Sequence, residues 1–375
     1  MSLGIFYPSQ VGGPGNTLYW LGKELVKRNV AVTAVVTDLG ISSNFALRDK
    51  WYNLEGITIK YCNSKKPFLI FKIIWQTLKQ VPYNDVIMLS SIFYKPNFFV
   101  GIMALIMSKK VIWSPRGELL VQRGWVKKSY LYLLKILFAK RVIYHVTSQE
   151  EMASVHKFMG KTVKCVLIPN YMELPKKIRI NSTDKYLLYV GRIMPIKALD
   201  KLIEGASLSK LFMSQDYKLY LAGKNEGEYY QRLVALINQK GLTNKIIFKG
   251  MVEGEDKERL FAGAKVTMLV SNTENFGNVI IESLAQGTPA ITSKGTPWQI
   301  LNKKQAGFWI ENTPFIIGQT IDKLLGMSND DYQQMRKNAY ELCSNKFDIK
   351  TNIENWIEIL NKNYISCQSS ETKPY

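Results

Sequence analysis

"AKVTMLVSNTENFGNVIIESLAQGTPAITS", residues 264–293, contains one complete strand–helix–strand unit. "AKVTMLVS" is apolar almost without interruption, the pattern of a strand covered on both faces. Asn275-Phe276-Gly277 reads as the turn after it, and Asn278 or Val279 starts a helix that runs to about Gln286. "TPAITS" then returns as a second strand. Two glutamates bracket the helix start: Glu274 just before it, and Glu282 inside it. Each has an ordinary reading, since a carboxylate is tolerated near a helix N-terminus and a later one is a surface charge. A ligand reading stands beside it. Glu274 at the mouth of a sheet can accept from a ligand's hydroxyls, and Gly277 lets backbone N–H groups of 276–279 approach closely. Glu282 lies four residues after Asn278, on the same helix face, where its two oxygens suit a ribose diol.

The same alternation extends outward over the whole chain. "GIFYP", "VAVTAVVTD", "DVIMLSS", "KVIWSP", "RVIYHVTS" and "VKCVLIPN" read as strands in the first half. "KYLLYVGR", "YKLYLAG", "NKIIFKGMV", "AKVTMLVS", "TPAITS" and "AGFWIE" follow in the second. Helical stretches separate them, so parallel sheets with helices on both faces are expected. The break is "NYMELPKKIRINSTDK", residues 170–185, polar and without periodicity, which reads as a linker. The fold class is α/β, as two successive doubly wound units. Ile353, Trp356, Ile357, Leu360 and Tyr364 fall on one face of a last helix.

With 375 residues, 46% apolar and 21% charged, the chain has material for about two domains with ordinary cores. Cys62, Cys165, Cys343 and Cys367 are scattered and form no CxxC, which argues against a disulfide framework or a zinc site. "MSLGIFYPSQ" lacks the basic start and apolar core of a signal peptide. The run Phe98–Met107 is too short to span a bilayer. A cytoplasmic protein, soluble or peripheral on a membrane, is expected.

Charge is unevenly distributed. The net is +20, and residues 1–165 hold 23 Lys and Arg against 8 Asp and Glu, while the remainder holds 27 against 22. An anionic partner for the first half fits that asymmetry, as does a surface that is merely soluble. "KKPFLIFKIIWQTLKQ" (65–80) sets Phe71, Ile74, Trp75 and Leu78 at helical spacing among lysines. "KKSYLYLLKILFAKR" (127–141) does the same with Tyr130, Leu133, Leu134, Leu137 and Phe138. Basic amphipathic helices suit an anionic membrane surface. Helices that cover a sheet also need an apolar face, so both readings stand.

A second site candidate is "YLLYVGRIMPIKALDKLIEGA", residues 186–206. The strand ends at Gly191, Arg192 follows at its carboxyl end, and Lys197 lies near the next helix start. Ligands of open α/β sheets bind at those ends, and two cations beside a helix N-terminus suit a diphosphate.

At this point the residues resemble a known family. Two glutamates separated by seven residues within "ENFGNVIIESLAQGTPAI" look like the signature of retaining nucleotide-sugar glycosyltransferases of family 4, which have the GT-B fold of two Rossmann-like domains facing across a cleft. "YVGRIMPIKALDKLIEG", "LYLAGKNEGEY", "IIFKGMV" and "GTPWQIL" occur in the family's order over most of residues 186–312. "PSQVGGPGN", "WSPRGEL", "TSQEE" and "IPN" echo it in the first half. The resemblance implies an acceptor-side domain over 1–170, with a helix at 348–365 packing back on it, and a donor-binding domain over 171–347. It implies that Arg192 and Lys197 neutralise the donor diphosphate and that Glu274 holds sugar hydroxyls. Asn275, Phe276 and Gly277 stand beside Glu274, Asn278 and Val279 lie by the phosphates, and Glu282 grips the ribose. Gly12 and Gly13 approach the donor from the first unit. The implied partners are a UDP- or GDP-sugar and a glycan acceptor, lipid-linked by the same analogy, in surface polysaccharide synthesis.

No cofactor is implied, and no metal, because no Asp-x-Asp stands at a strand end; Asp330 and Asp331 sit in a late helical region. Two positions depart from the family. Arg116 stands where many relatives carry a histidine, on the acceptor side, and Gln299 replaces a frequent acid. His145 lies in an apolar strand and reads as core. Two other classes compete. "GGPGNTL", with Asp38 after it, half-matches a dinucleotide fingerprint, but Leu18 takes the third glycine position and Pro14 interrupts the turn. A nucleic-acid binder is suggested by net charge alone, with no motif to support it, so no nucleic acid is expected.

Overall fold

The strands of the second half assemble into one parallel sheet whose order runs outward from its middle. A computed structural model describes residues 4, 6–7, 13–41, 48–65, 68–120, 124–180 and 184–361. Strands are numbered through both halves. They are β1 (Thr33–Thr37), β2 (Trp51–Leu54), β3 (Ile57–Cys62), β4 (Val86–Ser90), β5 (Lys110–Ser114), β6 (Ile143–Val146) and β7 (Lys164–Leu167), then β8 (Tyr186–Val190), β9 (Lys218–Ala222), β10 (Ile246–Gly250), β11 (Val266–Leu269), β12 (Ala290–Ser293) and β13 (Gly307–Ile310).

Packing divides the chain into two compact units, Met1–Glu173 with Ile349–Pro374, and Leu174–Asp348. The second unit holds one six-stranded sheet, β10-β9-β8-β11-β12-β13, with every neighbouring pair parallel. β11 and β12 are buried along their whole length, as uninterrupted apolar strands require when helices cover both faces. Tyr186, Leu188, Phe261 and Ala264 pack together, with Val190, Tyr220, Leu260 and Val279 against them. That cluster fixes the helices Gly254–Gly263 and Asn278–Ala285 on the sheet.

In the first unit, β4-β5-β6-β7 form a parallel sheet. β1 pairs parallel with β3, and β2 antiparallel with β3. The hairpin β2–β3 is absent from the sequence reading, although "ITIKYC" carries a strand's alternation, with Ile57 and Ile59 buried. Of the expected strand at 4–8, residues 5 and 8 lie outside the described residues, and Gly4, Phe6 and Tyr7 are not in a strand; Phe6 is fully buried. One core gathers Trp113, Tyr144, Phe138 and Val100. The other gathers Tyr61, Ile112 and Ile143 with Ile349, Ile353, Trp356 and Ile359, so the last helices Ile349–Asn352 and Glu354–Asn361 belong to this unit.

The faces of the two basic helices need correction. In Leu69–Leu78 the buried residues are Ile73 and Thr77, while Phe71 and Trp75 are 70% and 59% exposed. In Trp125–Phe138 the buried residues are Leu131, Leu134 and Phe138, and Leu133 is exposed. Spacing identifies which residues share a face; packing decides which face is covered, and here bulky side chains remain outside.

Candidate active site

The order of the six strands places a crevice. β8 and β11 are neighbours, yet their connections run in opposite directions from the middle of the sheet. Ligands of doubly wound sheets bind outside the carboxyl ends at this switch point. Arg192 and Lys197 follow β8; Glu274 through Gly277 follow β11.

Behind β8 the chain turns through a short helical segment, Pro195–Lys197, passes Ala198 at φ 51°, and enters the helix Leu199–Leu208. Arg192 is exposed. Its carbonyl accepts from the hydroxyl of Tyr189 at 2.7 Å, and Tyr189 is buried, which holds its phenol protonated far above the ordinary range. Lys197 Nζ is ion-paired with Glu274 Oε2, each side chain less than a fifth exposed. Asn272 N–H donates to the Ile196 carbonyl at 2.8 Å, and Lys201 donates to Asn272 Oδ1 at 3.2 Å. The two loops are therefore fastened to each other through main chain as well as charge.

A third loop, after β12, supports the turn from below. Glu274 N–H donates to the Gly295 carbonyl at 2.8 Å. A β-carbon on Gly295 would lie 2.4 Å from Asn272 O and 2.5 Å from Ser271 O, so no larger residue allows this approach. Trp298 is buried; its Nε1–H donates to the Phe276 carbonyl at 2.5 Å, and its ring meets Phe276 edge-on at 5.3 Å and Phe347 at 5.2 Å. Gln299 is exposed beyond it. Gly277 adopts φ 81° immediately before the helix Asn278–Ala285, and a β-carbon there would sit 2.7 Å from Leu269 Cδ2. Both the angle and the space require glycine.

The N-terminus of the helix Asn278–Ala285 therefore follows Glu274 by one short turn, with the positive end of its dipole on that side. Asn275 Oδ1 and Ser271 Oγ are buried without hydrogen-bond partners, which is unusual for native polar atoms. Val279 is part of the apolar cluster under the helix. Glu282, one turn further in than Asn278, pairs with Lys257 at 2.8 Å. Together these groups offer cations and amides to a diphosphate, and carboxylates to hydroxyls.

The first unit presents a second set at the carboxyl ends of β4 to β7. Arg116, at φ 57°, donates from Nε to Ser90 Oγ at 3.1 Å and from Nη1 to Asn170 Oδ1 at 3.3 Å. Burial lowers its guanidinium to about 10, and Glu151 opposes that shift. Glu151 is fully buried and accepts from Gly117 N–H at 2.5 Å, Thr147 N–H at 2.8 Å and Thr147 Oγ1 at 3.0 Å. Burial raises its carboxyl all the same. His145 lies 2.8 Å from Ser114 Oγ through Nδ1 and 3.0 Å from the Ile168 carbonyl through Nε2, so Nε2 carries the proton. Its ring packs on Trp356 at 4.5 Å. Burial lowers it to about 3, so it stays neutral, as a core residue. Gly13 begins the helix Gly13–Lys27, and Gly12 lies outside the described residues.

Asp330 and Asp331 occupy the first turn of Asn329–Lys346, where Ser328 caps the helix. No group of three His, Cys, Asp or Glu that could hold a metal ion occurs among the described residues. Sequence reasoning missed Lys257, Trp298 and Tyr189. Trp298 and Gly295 stood inside the quoted "GTPWQIL", where a tryptophan between polar residues was the available signal. Lys257 sits in a charged stretch and carries no such mark.

Residues 170–342 match the model of glycosyl transferases group 1. An uncharacterized glycosyltransferase of Methanocaldococcus jannaschii is 29% identical over 174 residues, 45% of this chain and 44% of that protein. The poly(ribitol-phosphate) alpha-N-acetylglucosaminyltransferase of Staphylococcus aureus is 22% identical over 242 residues, 64% of this chain and 47% of its own length. The chain thus spans about half the length of the curated relatives it matches. Among solved structures, an Anabaena protein in complex with UDP superposes with a TM-score of 0.76 at 16% identity, covering 96% of this chain and 99% of that one. Sucrose-phosphate synthase of Thermosynechococcus elongatus gives 0.73 at 16%, covering 96% and 98%. The chain therefore has the GT-B fold of glycosyltransferases, and within it residues 170–342 match the glycosyl transferases group 1 family.

Proposed function

We propose that the chain is a metal-independent glycosyltransferase that moves a hexose from a nucleotide-diphosphate sugar, UDP- or GDP-linked, to a glycan acceptor with retention at the anomeric carbon. The observation that carries this reading is the Lys197–Glu274 pair at the switch point of the second sheet, with Arg192 on the same loop as Lys197 and Glu282 in the helix that follows Glu274. In this reading the second unit binds the donor and the first binds the acceptor. As the bond from the anomeric carbon to the diphosphate oxygen breaks, its electron pair passes to that oxygen. Arg192, Lys197 and the first-turn amides of Asn278 and Val279 stabilise the charge that develops there. Glu274 and the main chain of Asn275, Phe276 and Gly277 orient the sugar, and Glu282 takes the ribose. The acceptor hydroxyl attacks from the face the diphosphate leaves, and its proton goes to the departing oxygen, so no protein base is required. Arg116 adds fixed positive charge on the acceptor side.

Thermal denaturation with UDP, GDP and NAD separates this reading from a dinucleotide enzyme. Stabilisation by a nucleoside diphosphate is expected; stabilisation by NAD alone overturns the proposal. Hydrolysis of a panel of UDP- and GDP-sugars then identifies the donor, and Arg192→Ala, Lys197→Ala and Glu282→Ala should lose turnover while staying folded.

A peripheral membrane location, with a lipid-linked acceptor, is supported by one specific observation. Phe71 and Trp75 on one basic helix, and Trp125, Tyr132 and Ile136 on another, are all more than half exposed. Lys79 lies 4.9 Å over the Trp75 ring. Exposed aromatics with lysines fit an anionic interface, and no helix among the described residues is long and apolar enough to cross a membrane. Co-sedimentation with anionic vesicles should fall steeply with salt and drop in Phe71→Ser/Trp75→Ser. Binding indifferent to both changes returns these helices to plain solvent exposure.

A further inference from the structure

We infer that Lys257 is a positioning residue that sets Glu282 for a ribose hydroxyl, an inference that rests on the donor-site reading above. Lys257 Nζ stands 2.8 Å from Glu282 Oε1. The contact joins two helices, Gly254–Gly263 and Asn278–Ala285, that share one apolar cluster through Leu260, Phe261 and Val279. Both ends of the pair are therefore on rigid elements, and both side chains are about three-quarters or more buried, at 27% and 18% exposure.

The geometry divides the carboxylate's two oxygens. Oε1 is occupied by the ammonium, while Oε2 has no hydrogen-bond partner among the described residues and is not sealed from solvent. A glutamate on a helix samples several rotamers when unrestrained. Held at one oxygen, it keeps the other aimed outward as an acceptor for a hydroxyl donor. Lys257 also faces a second acid. Burial and then Glu255 raise the Glu258 carboxyl, Lys257 opposes them, and Glu282 adds a smaller push in the same direction as Glu255. Without the ammonium, like charge turns Glu282 away from Glu258 and lets its aim drift. Lys257 itself is not required to touch the ligand; it acts through Glu282.

The test uses the full chain and calorimetric titration with UDP, dUDP, GDP and dGDP. For the nucleotide that binds, wild type should prefer the ribo form over the 2′-deoxy form by about tenfold, the range of a hydrogen bond to a charged group. Glu282→Gln should reduce that preference to nearly none. Lys257→Met should weaken ribonucleotide binding several-fold and cut the preference to under about threefold, with turnover at saturating donor within twofold of wild type. Lys257→Arg should restore both. A Lys257→Met protein with wild-type affinity and preference overturns the inference, leaving Lys257 as a surface ion pair while the Glu282 reading stands. An unchanged preference in Glu282→Gln overturns the ribose role itself, and this inference with it. Matching thermal midpoints for the variants keep both outcomes clear of misfolding.

Discussion

Glu274→Gln should tighten binding of a bare nucleoside diphosphate while abolishing sugar transfer. Lys197 is paired with Glu274, with side-chain exposures of 13% and 17%. A diphosphate that uses Lys197 must take the ammonium from that carboxylate. A pair reached by solvent is worth about 1 kcal/mol, which corresponds to roughly fivefold in affinity. The amide keeps the volume of the side chain, and the main-chain bond from residue 274 to the Gly295 carbonyl is untouched. The dissociation constant for UDP or GDP should therefore fall about fivefold in Glu274→Gln. Lys197→Met should raise it by roughly tenfold or more, because a charge-assisted hydrogen bond contributes about 1.5–3 kcal/mol. In the double variant the Glu274→Gln gain should vanish, since the carboxylate then has no ammonium to release. Calorimetric titration gives the constants, and a coupled assay for released nucleoside diphosphate gives turnover, expected to drop about 100-fold as the sugar's hydroxyls lose a charged carboxylate partner. Weaker or unchanged nucleotide binding in Glu274→Gln refutes the reasoning, because the pair would then not stand in the ligand's way.

Trp298→Phe should cost about 1–3 kcal/mol in urea unfolding, since it leaves the Phe276 carbonyl unpaired beneath the turn. Trp298→Ala should cost about 3–5 kcal/mol. Both should weaken nucleotide binding without removing a ligand contact, and intact affinity in Trp298→Phe argues against the support role. His145 makes stability depend on pH. Its folded value of about 3 lies below the unfolded value near 6.5, so between those limits the unfolded chain binds the extra proton and stability is lost as pH falls, by up to about 1.4 kcal/mol per unit. His145→Gln should lose less stability than wild type between pH 7 and pH 5; equal losses contradict the assignment.

The second sheet was legible because its strands are uninterrupted apolar runs and its helix starts are marked by glycine or proline. The turn at Gly277 and the helix from Asn278 fall where "NFGN" places them. The hairpin β2–β3 was not, because β2 leaves Trp51 and Asn53 exposed and so lacks a buried run. The exposed faces of the basic helices were hidden for another reason. "LIFKIIWQTL" is apolar on two sides, so period alone cannot say whether Ile73 or Phe71 meets the core. The pairings Lys257–Glu282 and Trp298–Phe276 join residues more than twenty positions apart, and no local pattern encodes them.

The two sets of charges differ in a way that bears on what each can do. In the first unit Arg116 is fixed: Ser90 and Asn170 hold it, and Glu151 spends its oxygens on Gly117 and Thr147. A carboxylate so engaged cannot swing toward a ligand without exposing buried donors, at about 1–3 kcal/mol for each one left unsatisfied. In the second unit Lys197 and Glu274 engage mainly each other, at the edge of solvent, and Glu282 keeps one oxygen open. Their partners can be exchanged for a ligand's phosphates and hydroxyls at little net cost. Fixed charge sets a field, whereas exchangeable charge can follow a reaction in which charge moves from a bond to a leaving group. Under the proposed function, the exchangeable Lys197–Glu274 side would carry the chemistry, and Arg116 would supply fixed charge on the acceptor side.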